Sequence, residues 1–242
     1  MFDCYYMDIS SDCSYEQSLL LYEMLSKERQ QKVAARQNTA LAKKQLLSSA
    51  FLSYTLAEKT KIPANQLQFS YGEYGKPYLV QSVLPEERMQ NVEFNLSHSG
   101  KYAVVAISDQ PVGIDVERLK KNRLSIAKRF FVKEEYEDIL SMQTVEEQNR
   151  RFLQYWTMKE AYVKYCGQGL SIPLNRFWIK RKTKQLSAIE NEKIWFSTVT
   201  MPDKDYLVSV CSKQKEEIAL FSLDVMKMVT IEEIIESFSL FL

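Results

Sequence analysis

The chain has 242 residues, 45% of them hydrophobic and 26% charged, and a formal net charge of +1. That length and balance describe an ordinary globular protein with room for a sizeable core. The near-zero charge provides no global field to select nucleic acid or an acidic membrane, and six glycines and six prolines are too few for long low-complexity linkers.

The opening stretch, MFDCYYMDIS, shows neither the basic segment nor the long apolar run of a secretory signal. No stretch reaches the ~18 apolar residues of a membrane span. Cys4, Cys13, Cys166 and Cys211 form no CxxC pair and no zinc-type spacing with the single histidine. Four reduced thiols in a cytoplasmic protein are expected.

Residues 2–9 read as a strand. From Ser14 to Lys59, Leu19, Leu20, Leu25, Leu46, Leu47, Phe51, Leu52 and Leu56 fall near helical spacing, and Pro63 ends the pattern. Residues 67–71 read as a strand, GEYGKPY as a Gly/Pro loop, residues 92–95 as a short strand and 102–108 as a longer one. Asp109-Gln110-Pro111 then leads into VGIDVER (112–118), and so short a turn predicts an antiparallel hairpin. Arg123 to Cys166 reads as helices, the longest from about Val145, with Gly167 as its C-cap. The runs WIKR, IWFSTV, YLVSV and IALFSL follow as strands. VTIEEIIESFSLFL closes the chain as an amphipathic helix, with Ile231, Ile234, Ile235 and Phe238 on its apolar stripe. The order is strand–helices–strands in 1–108 and again in 109–242. This predicts an α+β protein of two α/β halves hinged near Asp109–Pro111.

Four patterns could carry chemistry. Asp115 and Glu117 alternate on a strand, so both carboxylates leave the same face; a hard divalent cation between them would offset their repulsion. On the long helix Trp156, Glu160 and Lys164 stand four apart and share one face. There Glu160 could add a third carboxylate and Lys164 could meet a phosphate. NLSHSG (95–100) places His98 among hydroxyls before a glycine, at a turn able to cradle an anion. Lys27, Arg29, Lys32, Arg36, Lys43 and Lys44 form a basic run broken only by Glu28. Each pattern alone has an ordinary structural reading: a solvated acidic face, an i,i+4 ion pair, a hydroxyl-rich turn, a solvated basic face. Together they describe phosphoryl transfer on a pyrophosphate-containing substrate.

GKPY (75–78), FNLSHSG (94–100), VGIDVER (112–118) and WTMKEAYVKYCGQGL (156–170), in that order, resemble the motifs of the 4′-phosphopantetheinyl transferases of the Sfp type. The resemblance implies two pseudo-symmetric α/β halves with the active site at their junction. It implies Mg²⁺-dependent transfer of the phosphopantetheine arm of coenzyme A to a serine of an apo acyl or peptidyl carrier protein, leaving adenosine 3′,5′-bisphosphate. By motif position Asp115, Glu117 and Glu160 are the implied metal ligands, Lys164 the pyrophosphate contact, and Glu160 or a metal-bound water the base. Gly75, Lys76 and Pro77 resemble the loop at the adenine, Ser97 and His98 resemble coenzyme A contacts, and Arg29, Lys32 and Lys44 resemble the cluster at the 3′-phosphate. Residues 1–108 would then hold the adenine and 3′-phosphate, and 109–242 the metal and the catalysis. The internal pseudo-dimer points to a monomer. Exposed members of Leu124, Phe130, Phe131 and Tyr136 are candidates to receive a carrier helix. The competing readings are another Mg²⁺-dependent pyrophosphate-cleaving enzyme and a non-catalytic binder of coenzyme A or a carrier.

Overall fold

Local sequence signals account for the element boundaries. In the computed structural model, which describes residues 1–80, 92–121, 123–180, 185–187, 194–224 and 228, the chain opens with β1 (Phe2–Asp8). Three helices follow: α1 (Tyr15–Glu23), α2 (Lys27–Ala34) and α3 (Thr39–Thr60). Ser14 and Gln17 form a capping box on α1, and the Asn38 side chain accepts from the Ala40 and Leu41 amides at the start of α3. A small hairpin, β2 (Phe69–Tyr71) and β3 (Pro77–Leu79), precedes β4 (Glu93–Ser99), β5 (Tyr102–Ser108) and β6 (Val112–Arg118). Then come α4 (Leu124–Phe130), α5 (Lys133–Leu140) and the 22-residue α6 (Val145–Cys166). A Thr144–Glu147 capping box opens α6, and Gly167, at φ 70°, closes it. The remaining strands are β7 (Trp178–Lys180), β8 (Gln185–Ser187), β9 (Trp195–Thr200), β10 (Tyr206–Ser212) and β11 (Leu220–Ser222).

Two larger sheets result, ordered β11-β1-β5-β4 and β6-β10-β9-β8-β7. The period-two alternation of their central strands builds three cores. Ala103, Val105 and Ile107 of β5 face α3 and pack with Leu47, Phe51 and Leu56. Phe196 of β9 and Cys211 of β10 pack beneath α6 with Met158, Ala161 and Phe177. The alternate residues Tyr102, Val104 and Ala106 of β5 meet Val112, Ile114 and Val116 of β6 and Tyr206, Val208 and Val210 of β10. Each sheet therefore carries a 22-residue helix on one face and leans on the other sheet with its second face.

The fold differs from the sequence expectation in identifiable places. β5 and β6 are not an antiparallel hairpin: β1 and β4 occupy both edges of β5, and β6 pairs with β10 in the other sheet. The Asp109–Pro111 turn thus carries the chain from one sheet to the next. NLSHS is not the end of a short strand, because β4 runs on to Ser99 and turns only at Gly100, φ 57°. The segment before β2 makes a short 3₁₀ turn at Ala64–Gln66, so the strand begins at Phe69. β11 returns across from the second half to pair parallel with β1. The closing amphipathic helix with Ile231, Ile234, Ile235 and Phe238 lies outside the described residues.

Candidate active site

The site forms where α6 crosses β6, and a glycine sets the distance. A Cβ added to Gly113 would lie 2.0 Å from the Ala161 carbonyl oxygen and 2.5 Å from the Tyr165 amide nitrogen. Only hydrogen fits in that space, so strand and helix backbones approach almost to contact. Gly113, Asp115 and Glu117 share one face of β6, and on α6 Ala161 stands beside Glu160 and Tyr165 beside Lys164. The close approach therefore brings the acids of the strand to the acid and the ammonium of the helix.

Asp115 is buried, at 4% exposure. Its Oδ1 accepts from Lys164 Nζ at 2.7 Å and from Ser97 Oγ at 2.9 Å, while its Oδ2 is buried without a hydrogen-bond partner among the described residues. Burial pushes its carboxyl up, against the pull of Lys164 and Ser97. Glu117 is half-buried and accepts from Ser99 Oγ at 2.8 Å. Burial pushes Glu160 up to about 6, and the neighbouring Asp115 and Glu117 carboxylates push the same way. Three carboxylates thus share one field with one ammonium from Lys164. As their side chains are placed, no three His, Cys, Asp or Glu groups among the described residues converge tightly enough to hold a metal ion. The donor chemistry nonetheless suits a hard divalent cation: an unpartnered buried oxygen on Asp115, and an excess of negative charge that Lys164 alone leaves uncompensated.

Around this centre the other expected residues fall into separate groups. Ser97 is buried, and its hydroxyl serves Asp115, Lys164 and the Val116 amide. His98, on the opposite face of β4, has an exposed side chain. Desolvation first, then the Lys164 and Lys44 cations, hold its imidazole below the usual range. Lys44 lies at the same end of β4 and donates to the Gly100 carbonyl at 3.1 Å. Arg29 is buried with its guanidinium 3.8 Å from the Phe69 ring centre. Lys32 is exposed, pairs with Glu28 at 2.9 Å, bonds the Tyr71 hydroxyl and lies over that ring. Arg29 and Lys32 therefore gather at the β2 hairpin, whereas Lys44 sits with His98. Lys76 reaches across from the β2–β3 loop to the end of α6. There it donates to the Tyr165 carbonyl at 3.2 Å and passes Gly167, a position that complements the helix dipole. Gly75, at φ 81°, makes the turn, and Lys76 and Pro77 line a cleft of about 670 Å³ with Tyr78, Glu93 and Gly167.

Of the apolar residues after β6, Phe130 is 41% exposed, with the Arg129 guanidinium 5.1 Å from its ring. Phe131 is buried against Phe152, and Leu124 and Tyr136 pack on the same core.

Two features of the site were not foreseen from the sequence. Lys159, beside Glu160, is fully buried and ion-paired to Glu135 at 2.9 Å, and it donates to the Leu174 and Phe177 carbonyls at 2.7 and 3.0 Å. This pair fixes α6 to α5 and to the segment leading into β7. The other is the role of β4: Asn95, Ser97 and Ser99, at strand period, reach the backbone of β6. The matching period of these polar residues and of the two acids was a readable signal.

Comparison with known proteins shows the family. A family profile described as the 4′-phosphopantetheinyl transferase superfamily matches residues 111–211, and one described as 4′-phosphopantetheinyl transferase, N-terminal, matches residues 12–110. The 4′-phosphopantetheinyl transferase Sfp of Bacillus subtilis (strain 168) is 31% identical over 234 residues, covering 95% of this chain and 97% of its own. The transferase ffp of Bacillus subtilis is 32% identical over 90% of this chain and 96% of its own. The transferase gsp of Aneurinibacillus migulanus is 34% identical over 78% and 76%.

Proposed function

Because the chain belongs to the 4′-phosphopantetheinyl transferase superfamily, with Sfp-type relatives along most of its length, we propose that it transfers the phosphopantetheine arm of coenzyme A to a serine hydroxyl of an apo acyl or peptidyl carrier protein. The observation that carries this reading is the meeting of Asp115, Lys164 and the raised Glu160 at the β6–α6 crossing. Adenosine 3′,5′-bisphosphate leaves as the bond between the two phosphoryl groups breaks.

Asp115, Glu117 and Glu160 would hold a magnesium ion, which when bound supplies positive charge to the pyrophosphate and its leaving group. The protein's own groups have distinct tasks. Lys164 offers an ammonium to phosphate oxygens in the transition state. Glu160, directly or through a water beside it, is suited by position to take the serine proton. Lys44 offers positive charge, and His98 a neutral imidazole N–H, to phosphate at the end of β4. Arg29 and Lys32, beside Phe69 and Tyr71, are suited to the 3′-phosphate, and the Gly75–Pro77 loop to the adenine. Exposed Phe130 with cationic Lys128 and Arg129 on the last turn of α4 gives an apolar and basic patch for the carrier. The reaction belongs to the cytoplasm, where coenzyme A and carriers meet, and a monomer suffices for it.

Incubation with coenzyme A, Mg²⁺ and a panel of apo carriers, read by intact mass, tests the proposal. The expected result is a carrier heavier by one phosphopantetheine arm with stoichiometric adenosine bisphosphate. Cleaved coenzyme A with unmodified carriers would instead indicate a pyrophosphate hydrolase, and bound but intact coenzyme A a non-catalytic binder.

A further inference from the structure

Among the described residues β6 lies at the edge of its sheet, with β10 along one side. Its other side is served by side chains of β4. The Ile114 amide donates to Asn95 Oδ1 at 3.0 Å, the Val116 amide to Ser97 Oγ at 3.4 Å and the Arg118 amide to Ser99 Oγ at 3.3 Å. The constant offset of 19 residues means that the two strands run parallel with side chains in place of a backbone ladder. The two serines also donate at an offset of 18: Ser97 to Asp115 Oδ1 at 2.9 Å and Ser99 to Glu117 Oε2 at 2.8 Å. A hydroxyl has one proton and rotates freely. An amide donating into its lone pair fixes that rotor, so the proton points at the carboxylate.

Ser97 sits at the centre of the site, where Lys164 also touches it. Ser99 instead bonds Glu117 and the Arg118 amide. Glu117 is half-buried at the end of the strand and lines a cavity of about 40 Å³ with Arg118, Lys120 and Arg123. Those cations offer its carboxylate other places to go. We propose that Ser99 is a positioning residue for Glu117: its amide-locked hydroxyl holds one carboxylate oxygen and so keeps Glu117 beside Asp115 and Glu160 against the pull of the cavity cations. This rests on the transferase reading, in which Glu117 belongs to a cation site.

Removing a group that orients a ligand characteristically weakens metal affinity 10- to 100-fold. The experiment uses Mn²⁺ as probe, with free Mn²⁺ read by electron paramagnetic resonance, in the presence of coenzyme A and without carrier. Ser99→Ala is expected to weaken Mn²⁺ binding about tenfold or more, and Ser99→Thr to restore it. In transfer assays Ser99→Ala is expected to raise the Mg²⁺ requirement by the same factor, with kcat at saturating Mg²⁺ lowered no more than about threefold. In a Glu117→Ala background, adding Ser99→Ala should cost nothing further. Unchanged Mn²⁺ affinity in Ser99→Ala, or an equal loss with Glu117 already removed, overturns the assignment. Wild-type protein that binds Mn²⁺ and coenzyme A but modifies no carrier refutes the transferase reading instead.

Discussion

Replacing Glu160 by glutamine should make the protein more stable while destroying its activity. In the free protein the Glu160 carboxyl stands at about 6 against an ordinary 4.5, raised by burial and then by Asp115 and Glu117, with Lys164 opposing. An acid whose folded value lies above its unfolded value loses stability on ionising. The penalty is complete above about pH 6, shrinks between about 6 and 4.5, and vanishes below both. That interval corresponds to about 2 kcal/mol, and partial exposure of the side chain reduces it to roughly 1–2 kcal/mol. Glutamine keeps the shape without the charge. In a chelating buffer at pH 7.5, Glu160→Gln is therefore expected to raise the melting temperature by about 2–8 °C. The gain should fall to less than half near pH 5 and toward zero near pH 4, and transfer activity should be lost at every pH. Differential scanning fluorimetry at these pH values checks this. A variant that melts at or below wild type at pH 7.5, or whose advantage grows on acidification, refutes the crowded-carboxylate description.

Three further substitutions probe the scaffold and the substrate site. Gly113→Ala drives a methyl group into the α6 backbone and should cost about 3 kcal/mol or more in urea denaturation, with turnover lost as β6 and α6 separate; wild-type stability would show that the approach is not tight. Lys159→Met strands Glu135 in the core and should cost about 3–5 kcal/mol, of which adding Glu135→Leu should recover at least half; a double variant no more stable than the single would refute the buried pair. Lys32→Ala should weaken coenzyme A more than its 3′-dephospho analogue in calorimetric titration, and equal losses would remove Lys32 from the 3′-phosphate site.

The placement of the candidate side chains was legible because it follows chain periodicity. Asp115 and Glu117 at period two, and Glu160 and Lys164 at one helical turn, face each other as the spacing implied, and Gly167 caps α6 as expected. Contacts between distant segments had no such signal. The neighbours of β6 depend on which edges β5 has already filled, so a short turn read as a hairpin is in fact a crossing between sheets. Lys159 reads as one more charged residue of a helix, and its burial is set by Glu135 and by carbonyls 15 and 18 residues further along. The basic run α2–α3 was read as one cluster, but helix geometry sends Arg29 and Lys32 to Phe69 and Tyr71 and Lys44 to Gly100.

The most direct test is anomalous diffraction from a crystal grown with coenzyme A and Mn²⁺. A manganese peak shared by Asp115, Glu117 and Glu160 and touching the pyrophosphate is the expected result. A peak elsewhere, with Lys164 still bonded to Asp115 and the three carboxylates turned from one another, would contradict the account.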